Sequence, residues 1–265
     1  MPRGLEPYDS AFYAAQAARS FQAANIVLPA VIRLLDEGGV PVRSVVDVGA
    51  GVGPWLKAAQ GLGISDVLAV EGAWVRGVEA LVAEDCYRYA DVGKQLSIGR
   101  KFDLALCLEV AEHLPATDAA TLVANLCSHS DVVLFSAAIP HQGGVQHVNE
   151  RWPSYWANHF EEKGFSVFDV LRWLLWHDDR VPYWYRQNAF LYIHRQRADF
   201  CSHYLSRLPY GRFMPSPPCA VVHPLKYASV IEDSQCLPAS VLLRALPRAL
   251  WRAMRWHLKR FIGLP

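Results

Sequence analysis

The sequence predicts an α/β protein with a doubly wound, mostly parallel sheet of seven strands and helical additions at both ends. Seven short apolar runs have the length of strands, and helix-compatible segments separate most of them. This alternation favours a parallel sheet with crossover helices on both faces. The long loop 172–188 joins the last two strand candidates, so an antiparallel final hairpin fits there. The predicted strands are 44–48, 67–71, 86–90, 103–108, 131–136, 166–171 and 189–193, and the predicted helices are 26–35, 54–60, 73–83, 117–128 and 152–163.

The composition sets broad limits on function. A chain of 265 residues that is 52% hydrophobic can bury one full-sized core and still carry additional segments. Its net charge of +1 gives the whole protein little attraction for polyanions, which argues against nucleic acid as a partner. The six cysteines are scattered without a C-x-x-C pair, and the N-terminus has no apolar signal-like core. We therefore expect reduced thiols and a cytoplasmic location.

A glycine-rich loop follows the first predicted strand. The run Val45–Val48 leads into glycines at positions 49, 51 and 53, and a helix is predicted from Pro54. The dinucleotide fingerprint G-x-G-x-x-G would need a glycine at position 54. Proline instead suits the first position of a helix. The loop therefore favours a nucleoside ligand without a pyrophosphate over an oxidoreductase cofactor.

Acidic residues follow the next three predicted strands. Glu71 ends the second strand, Asp91 the third and Glu109 the fourth. A single acid at a strand end is usually a solvated loop residue. Three in succession after a glycine loop favour a ligand at the carboxyl edge of the sheet, where doubly wound folds bind their ligands. Glu71 lies at about the distance along the chain from which an acid binds a ribose hydroxyl.

These segments together resemble the class I S-adenosylmethionine-dependent methyltransferases. The resemblance covers about residues 44–194 and is most specific in 47–53 and 102–115. It implies that S-adenosylmethionine is the cofactor, and that the N-terminal segment 1–40 folds over it as a lid. The resemblance implies that the glycine loop lines the methionine part, that Asp47 orders this loop, that Glu71 binds the ribose and that residues 91 and 92 bracket the adenine. The implied cofactor residues are Asp47, Gly49, Ala50, Gly51, Gly53, Glu71, Gly72, Asp91, Val92 and Glu109.

The fourth strand candidate is followed by the pattern E-x-x-E-H. If the chain turns helical there, Glu109, Glu112 and His113 share one face. Two carboxylates and an imidazole at this spacing suit a divalent cation such as Mg²⁺ or Mn²⁺. His147, from the loop after the neighbouring fifth strand, would close the site, and His141 is the rival candidate.

This pattern is similar to the metal site of the small-RNA 3′-terminal 2′-O-methyltransferases and, in its E-x-x-E-H part, to the ubiquinone-pathway O-methyltransferases. The resemblance implies a metal held by Glu109, Glu112, His113 and His147 beside the acceptor hydroxyls. The chain departs from the ubiquinone pattern at Leu114-Pro115 and has no obvious RNA-binding domain. Two alternatives remain: a metal-free site in which His113 is the general base, and a purely structural Glu112–His113 pair.

The segments outside the strands suggest an acceptor. Polar and aromatic side chains in 139–158 and 173–188 suit a small-molecule or glycan acceptor, so we expect O-methylation of a glycan or small polyol, with Glu112 and His113 as catalytic residues. The methyltransferase domain is expected at 41–195, followed by a proline-rich arm at 196–237.

The C-terminal end, 238–265, differs from the rest in charge. It contains six Lys and Arg residues and no acid, and it predicts a basic amphipathic helix. Such a helix suits peripheral contact with an anionic membrane or docking on the parent domain. The competing functional class is a catalytically silent adaptor that docks through this tail.

Overall fold

The computed structural model describes residues 10–197 and 218–235. The chain divides into two compact units, Met1–His223 and Pro224–Pro265. The first unit contains the sheet. In the second, the described part is a helix, α7 (Pro224–Gln235), which lies inside the segment predicted as a proline-rich arm. The predicted basic helix at 238–265, and with it the membrane and adaptor hypotheses, lies outside the described residues.

Seven strands form one sheet in the order β3-β2-β1-β4-β5-β7-β6. Strand β7 alone runs antiparallel, pairing with β5 and β6, so the predicted antiparallel hairpin and the mostly parallel sheet are confirmed. Both faces of a parallel sheet are covered, so its strands carry apolar side chains on both sides, and this explains the apolar runs. Val45, Val46 and Val48, for example, are fully buried. The strands are β1 (Ser44–Val48), β2 (Asp66–Glu71), β3 (Tyr87–Tyr89), β4 (Leu104–Leu108), β5 (Val132–Ser136), β6 (Phe165–Phe168) and β7 (Phe190–His194).

Helices cover both faces of the sheet and create two apolar cores. One core joins α1 and α2 to α5 and α6, and the other contains α3 and α4. Helix α2 begins at Pro54 directly after Gly53, whose left-handed backbone ends the glycine loop, as predicted. The α-helices in the described part of this unit are α1 (Ser10–Glu37), α2 (Pro54–Gly61), α3 (Ala119–His129), α4 (Pro153–Glu162), α5 (Leu171–Leu175) and α6 (Tyr183–Asn188).

The N-terminal segment forms one long helix over residues 10–37. Its apolar face, which includes Val27, Leu28 and Val31, is part of the core against α2. Whether this helix also covers the cofactor, as predicted for segment 1–40, stays a prediction. Residues 1–9 lie outside the described residues.

Two element predictions were wrong. The predicted helix 73–83 is a single 3₁₀ turn, Ala73–Val75, followed by turns, because Gly77 adopts φ +83° and ends any helical path. The predicted loop 172–188 instead contains α5 and α6, whose aromatic and leucine side chains pack onto the sheet. Among the described residues, no helix combines the length and the apolar character needed to cross a bilayer.

Candidate active site

The glycine loop lies at the carboxyl edge of the sheet, between β1 and α2. Gly49, Gly51 and Gly53 have φ values of +86°, +55° and +85°, which glycine adopts without the steric cost that other residues bear. The N–H of Gly49 donates to the carbonyl of Val70 on β2 at 2.8 Å. A Cβ built on Gly51 would meet no described atom within 4 Å. The loop is thus held rigidly, with open space over its middle glycine.

Two buried carboxylates lie beneath this loop. Glu71 accepts hydrogen bonds from the N–H groups of Gly51 at 2.8 Å and Gly72 at 2.7 Å. Burial raises the pKa of Glu71, and these two bonds oppose the rise. Asp47 is only 2% exposed, and burial together with the nearby Glu71 raises its pKa to about 7. No hydrogen bond between Asp47 and the loop is present among the described residues, so Glu71 carries out the ordering role that was predicted for Asp47.

The remaining predicted cofactor residues lie along the same edge. Ala50 is buried in the loop, and Gly72 follows Glu71. Asp91 is exposed and accepts a hydrogen bond from the N–H of Gly93 at 2.9 Å, whereas the side chain of Val92 packs in the core. These positions agree with a nucleoside lying across β1, β2 and β3.

Three of the four predicted metal ligands come together. Ligand atoms of Glu112, His113 and His147 all lie within 4.8 Å of one another. Glu112 is completely buried, and neither of its carboxylate oxygens has a hydrogen-bond partner of normal geometry among the described residues. Burial and the neighbouring Glu109 raise the pKa of Glu112 well above its ordinary value. A buried carboxylate that lacks hydrogen bonds of normal geometry destabilises the fold unless a cation offsets its charge.

The fourth predicted ligand, Glu109, lies next to Glu112 but is not part of the cluster. Its backbone has φ +55°, so it does not start a helix, and the turn Ala111–His113 is 3₁₀ rather than α-helical. The predicted shared helix face is therefore absent. The two carboxylate oxygens of Glu109 accept hydrogen bonds from the side-chain amides of Gln142 (2.9 Å) and Asn188 (3.1 Å). These two amides fix the carboxylate of Glu109 beside the cluster.

The loop after β5 presents His147 rather than His141. Glu150 accepts from the N–H groups of His141 (2.7 Å) and Gly143 (2.8 Å), and its Oε1 lies 3.0 Å from Nδ1 of His147. The loop is also fixed to the ligand turn, because the carbonyl of Glu112 accepts from the N–H groups of residues 148 and 149. A carboxylate on one ring nitrogen orients the other nitrogen of a metal-binding histidine.

Gly144 leaves the space that the ring of His147 occupies. A Cβ on Gly144 would lie 2.3 to 2.8 Å from three adjacent atoms of the His147 ring, so any side chain there would displace the imidazole. Neither Glu150 nor Gly144 was predicted from the sequence as a site residue. The H-x-x-E spacing of His147 and Glu150 was the available signal, whereas the contact with Gly144 is visible only in three dimensions.

His113 is exposed on one side, and its ring packs edge-on against that of His147 with centroids 4.8 Å apart. Partial burial and the neighbouring His147 lower the pKa of His113. At neutral pH both effects favour the uncharged imidazole, which is the form that ligates a metal. The same shift makes His113 a weaker base, which disfavours the metal-free alternative.

The predicted acceptor wall is only partly exposed. Trp156 is fully buried and packs against Phe135, and Tyr185 is also buried, so both are core residues. Tyr183 and Trp184 are half-buried with ring centroids 5.3 Å apart. Tyr183 lies close enough to Glu109 and Glu150 for their charges to raise its pKa, after the larger effect of burial. It is therefore near Glu109 and Glu150, the second of which contacts His147.

The glycine loop and the ligand turn contact each other directly. A Cβ on Gly49 would lie 2.4 and 2.7 Å from the two methyl groups of Val110, which is between Glu109 and Glu112 in the chain. Strands β1 and β4 are neighbours in the sheet, so their C-terminal loops meet at one edge. A ligand on the loop and an ion on the turn would therefore be adjacent.

Solved structures with this fold include enzymes that methylate sugars. The sugar N-methyltransferase KedS8 from Streptoalloteichus sp. ATCC 53650 matches with a TM-score of 0.55 and 17% identity, covering 74% of this chain and 96% of its own. The amino pentose methyltransferase CalS10 from Micromonospora echinaspora matches with a TM-score of 0.52 and 14% identity, covering 73% and 100%. These similarities establish the fold. By sequence comparison, no curated protein matches the chain.

A family model described as a methyltransferase domain matches residues 14–179, more than half of the chain. The protein belongs to this family. It is an S-adenosylmethionine-dependent methyltransferase, and the resemblance to this class drawn from its glycine loop is confirmed.

The open space over Gly51 gives a first prediction. We expect Gly51→Ala to weaken the binding of S-adenosylmethionine by at least about tenfold, since a methyl group would enter the space that the cofactor needs, a loss of roughly 1.4 kcal/mol. Isothermal titration calorimetry measures this directly. Gly63→Ala is the matched control, because Gly63 also has positive φ (+88°) and open space but lies after α2. Both variants should lose about 1 kcal/mol of stability from backbone strain. Equal cofactor affinity in the two variants would contradict this placement of the cofactor.

Proposed function

We propose that the protein transfers a methyl group from S-adenosylmethionine to a hydroxyl of a glycan or small polyol, with a divalent metal ion held by Glu112, His113 and His147. The observation that carries this proposal is the buried carboxylate of Glu112, which makes no hydrogen bond of normal geometry among the described residues and lies close to the carboxylate of Glu109. Two imidazoles converge on the same point. A cation there would offset the charge of this carboxylate and use the lone pairs of both rings.

The donor set narrows the choice of metal. The sequence pattern, with two carboxylates expected in the site, suits either Mg²⁺ or Mn²⁺. With Glu109 held by two amides, one carboxylate and two imidazole nitrogens remain. Mg²⁺ prefers a shell of oxygen ligands, whereas Mn²⁺ accepts imidazole more readily. We therefore favour Mn²⁺.

A bound metal ion would lower the pKa of a coordinated acceptor hydroxyl and make it a better nucleophile. The residues of the protein supply the remaining requirements. The glycine loop and Glu71 orient the donor, and the contact between Gly49 and Val110 sets the spacing between donor and acceptor. Methyl transfer needs the acceptor lone pair in line with the sulfur–methyl bond, so this spacing affects the rate directly.

The acceptor class rests on two observations. A metal ion would activate a hydroxyl more than an amine, because a hydroxyl keeps its proton at neutral pH and an amine loses its proton more easily. The half-buried ring of Tyr183, near Glu109 and Glu150, gives an apolar face suited to a sugar ring, and the ring of Trp184 packs edge-on against it. KedS8 and CalS10 are named for sugar substrates, which agrees with a carbohydrate acceptor, although their names specify nitrogen or an amino sugar.

Removal of single ligands tests the metal site. We expect Mn²⁺ to bind the wild-type protein at least about tenfold more tightly than Mg²⁺, and His147→Ala to lose most of this affinity. His141→Ala is the matched control, since His141 belongs to the same loop but its ring is outside the cluster. Calorimetric titration with each metal measures both effects. If the two variants bind Mn²⁺ equally, His147 is not a ligand.

The variant Glu112→Gln distinguishes the energetic cost of burying this carboxylate from its contribution to metal binding. Without metal at neutral pH, we expect this variant to be more stable than the wild-type protein, because a neutral amide removes the cost of burying an ionisable carboxyl group beside Glu109. Saturating Mn²⁺, at about one hundred times its Kd, should stabilise the wild-type protein by about 2.7 kcal/mol and leave Glu112→Gln unchanged. Thermal unfolding with and without the metal measures both. A Glu112→Gln variant that is less stable without metal would indicate a structural role for this carboxylate.

Matched acceptors test the chemistry. We expect methyl transfer from S-adenosylmethionine to methyl glycosides that carry vicinal hydroxyls, and at least about tenfold slower transfer to their monodeoxy counterparts, because one oxygen of the pair is lost. Transfer should stop after treatment with a chelator and return with Mn²⁺. Mass spectrometry of the products measures the rates. Activity that survives chelation would favour His113 as a general base, and transfer to amino sugars alone would contradict O-methylation.

A further inference from the structure

The middle residue of the glycine loop is held from both sides by side chains of two neighbouring strands. The N–H of Gly51 donates to Oε2 of Glu71 on β2 at 2.8 Å, and its carbonyl accepts from the hydroxyl of Tyr87 on β3 at 3.1 Å. The resemblance to the methyltransferase class implies a role for Glu71 but none for Tyr87. The other glycines of the loop are held mainly by backbone hydrogen bonds.

The Tyr87 hydroxyl lies in a confined position. A Cβ on Gly53 would be 3.2 Å from this oxygen and 2.8 Å from a methyl group of Val82, so the phenol fits between the two glycines. Its ring stacks on that of Tyr89, with centroids 5.8 Å apart and planes 13° apart. Tyr89 is itself held, because its hydroxyl donates to Glu84 at 2.7 Å.

The electrostatic surroundings keep this hydroxyl a donor. Burial raises the pKa of Tyr87, and the negative charges of Asp47 and Glu71 raise it further. The proton therefore stays on the phenol oxygen, and the Gly51 carbonyl is the acceptor that it reaches.

We propose that Tyr87 is a positioning residue for S-adenosylmethionine, which acts by fixing the Gly51 peptide in its cofactor-binding orientation before the cofactor arrives. The inference rests on the use of S-adenosylmethionine by this protein. Gly51 has φ +55° and no side chain, so its peptide rotates easily unless both its N–H and its carbonyl are held. A loop fixed in advance loses less conformational entropy on binding, and this increases affinity.

Tyr87→Phe tests the inference because it removes one hydroxyl and retains the stacked ring. We expect the Kd for S-adenosylmethionine and for S-adenosylhomocysteine to rise about fivefold, the usual effect of one neutral hydrogen bond. The kcat at saturating cofactor and the KM for the acceptor should not change, since Tyr87 acts only on the loop. The matched control is Tyr89→Phe, which removes a hydroxyl from the same strand and should alter the Kd by less than about twofold.

Hydrogen exchange provides a second, independent measurement. The backbone amides of 51–53 should exchange faster in Tyr87→Phe than in the wild-type protein without cofactor, and at the same rate once the cofactor is bound. Unchanged affinity in Tyr87→Phe, an equal loss in Tyr89→Phe, or a lower kcat with unchanged Kd would each overturn the inference. Failure of the wild-type protein itself to bind S-adenosylmethionine would instead overturn the cofactor assignment on which the inference rests.

Discussion

The site depends on one close contact, the packing of Gly49 against Val110. Strands β1 and β4 lie side by side, so the loops that follow them meet at the carboxyl edge of the sheet. A Cβ on Gly49 would lie 2.4 Å from a Val110 methyl group, so only glycine allows the approach. This contact joins the glycine loop to the turn that carries Glu112 and His113. In the proposed site, the distance between donor and ion would therefore be set by the sheet.

The same edge of the sheet concentrates negative charge that does not favour folding. Asp47 and Glu112 are buried, and burial raises the pKa of both. Such carboxylates reduce the stability of the unliganded protein at neutral pH, because they bind protons more strongly in the folded state than in the unfolded state. A cationic sulfonium above one and a metal ion beside the other would offset these costs. The structure is thus consistent with a protein that gains stability when its ligands bind.

The sequence predicted the elements that carry strong local signals. The valine-rich run of β1 and the glycine loop before Pro54 have one reasonable interpretation, and both are present. The turn after β4 was not predicted correctly, because the helical interpretation of E-x-x-E-H could not anticipate the positive φ of Glu109. The contacts that hold Glu109 come from residues distant in sequence: its N–H donates to Ser136, and its carboxylate accepts from Gln142 and Asn188. The roles of Gly144 and Tyr87 likewise arise from contacts between separate elements, for which no local pattern exists.

The most direct test of the account is a crystal structure of the protein with S-adenosylhomocysteine and Mn²⁺, recorded to locate the anomalous signal of the metal. The account predicts a single strong metal peak bounded by Glu112, His113 and His147, with the cofactor sulfur next to it and the ribose at Glu71. A cofactor bound at the glycine loop with no metal peak in the cluster would contradict the metal-assisted mechanism. A glycine loop without the cofactor would contradict the account as a whole.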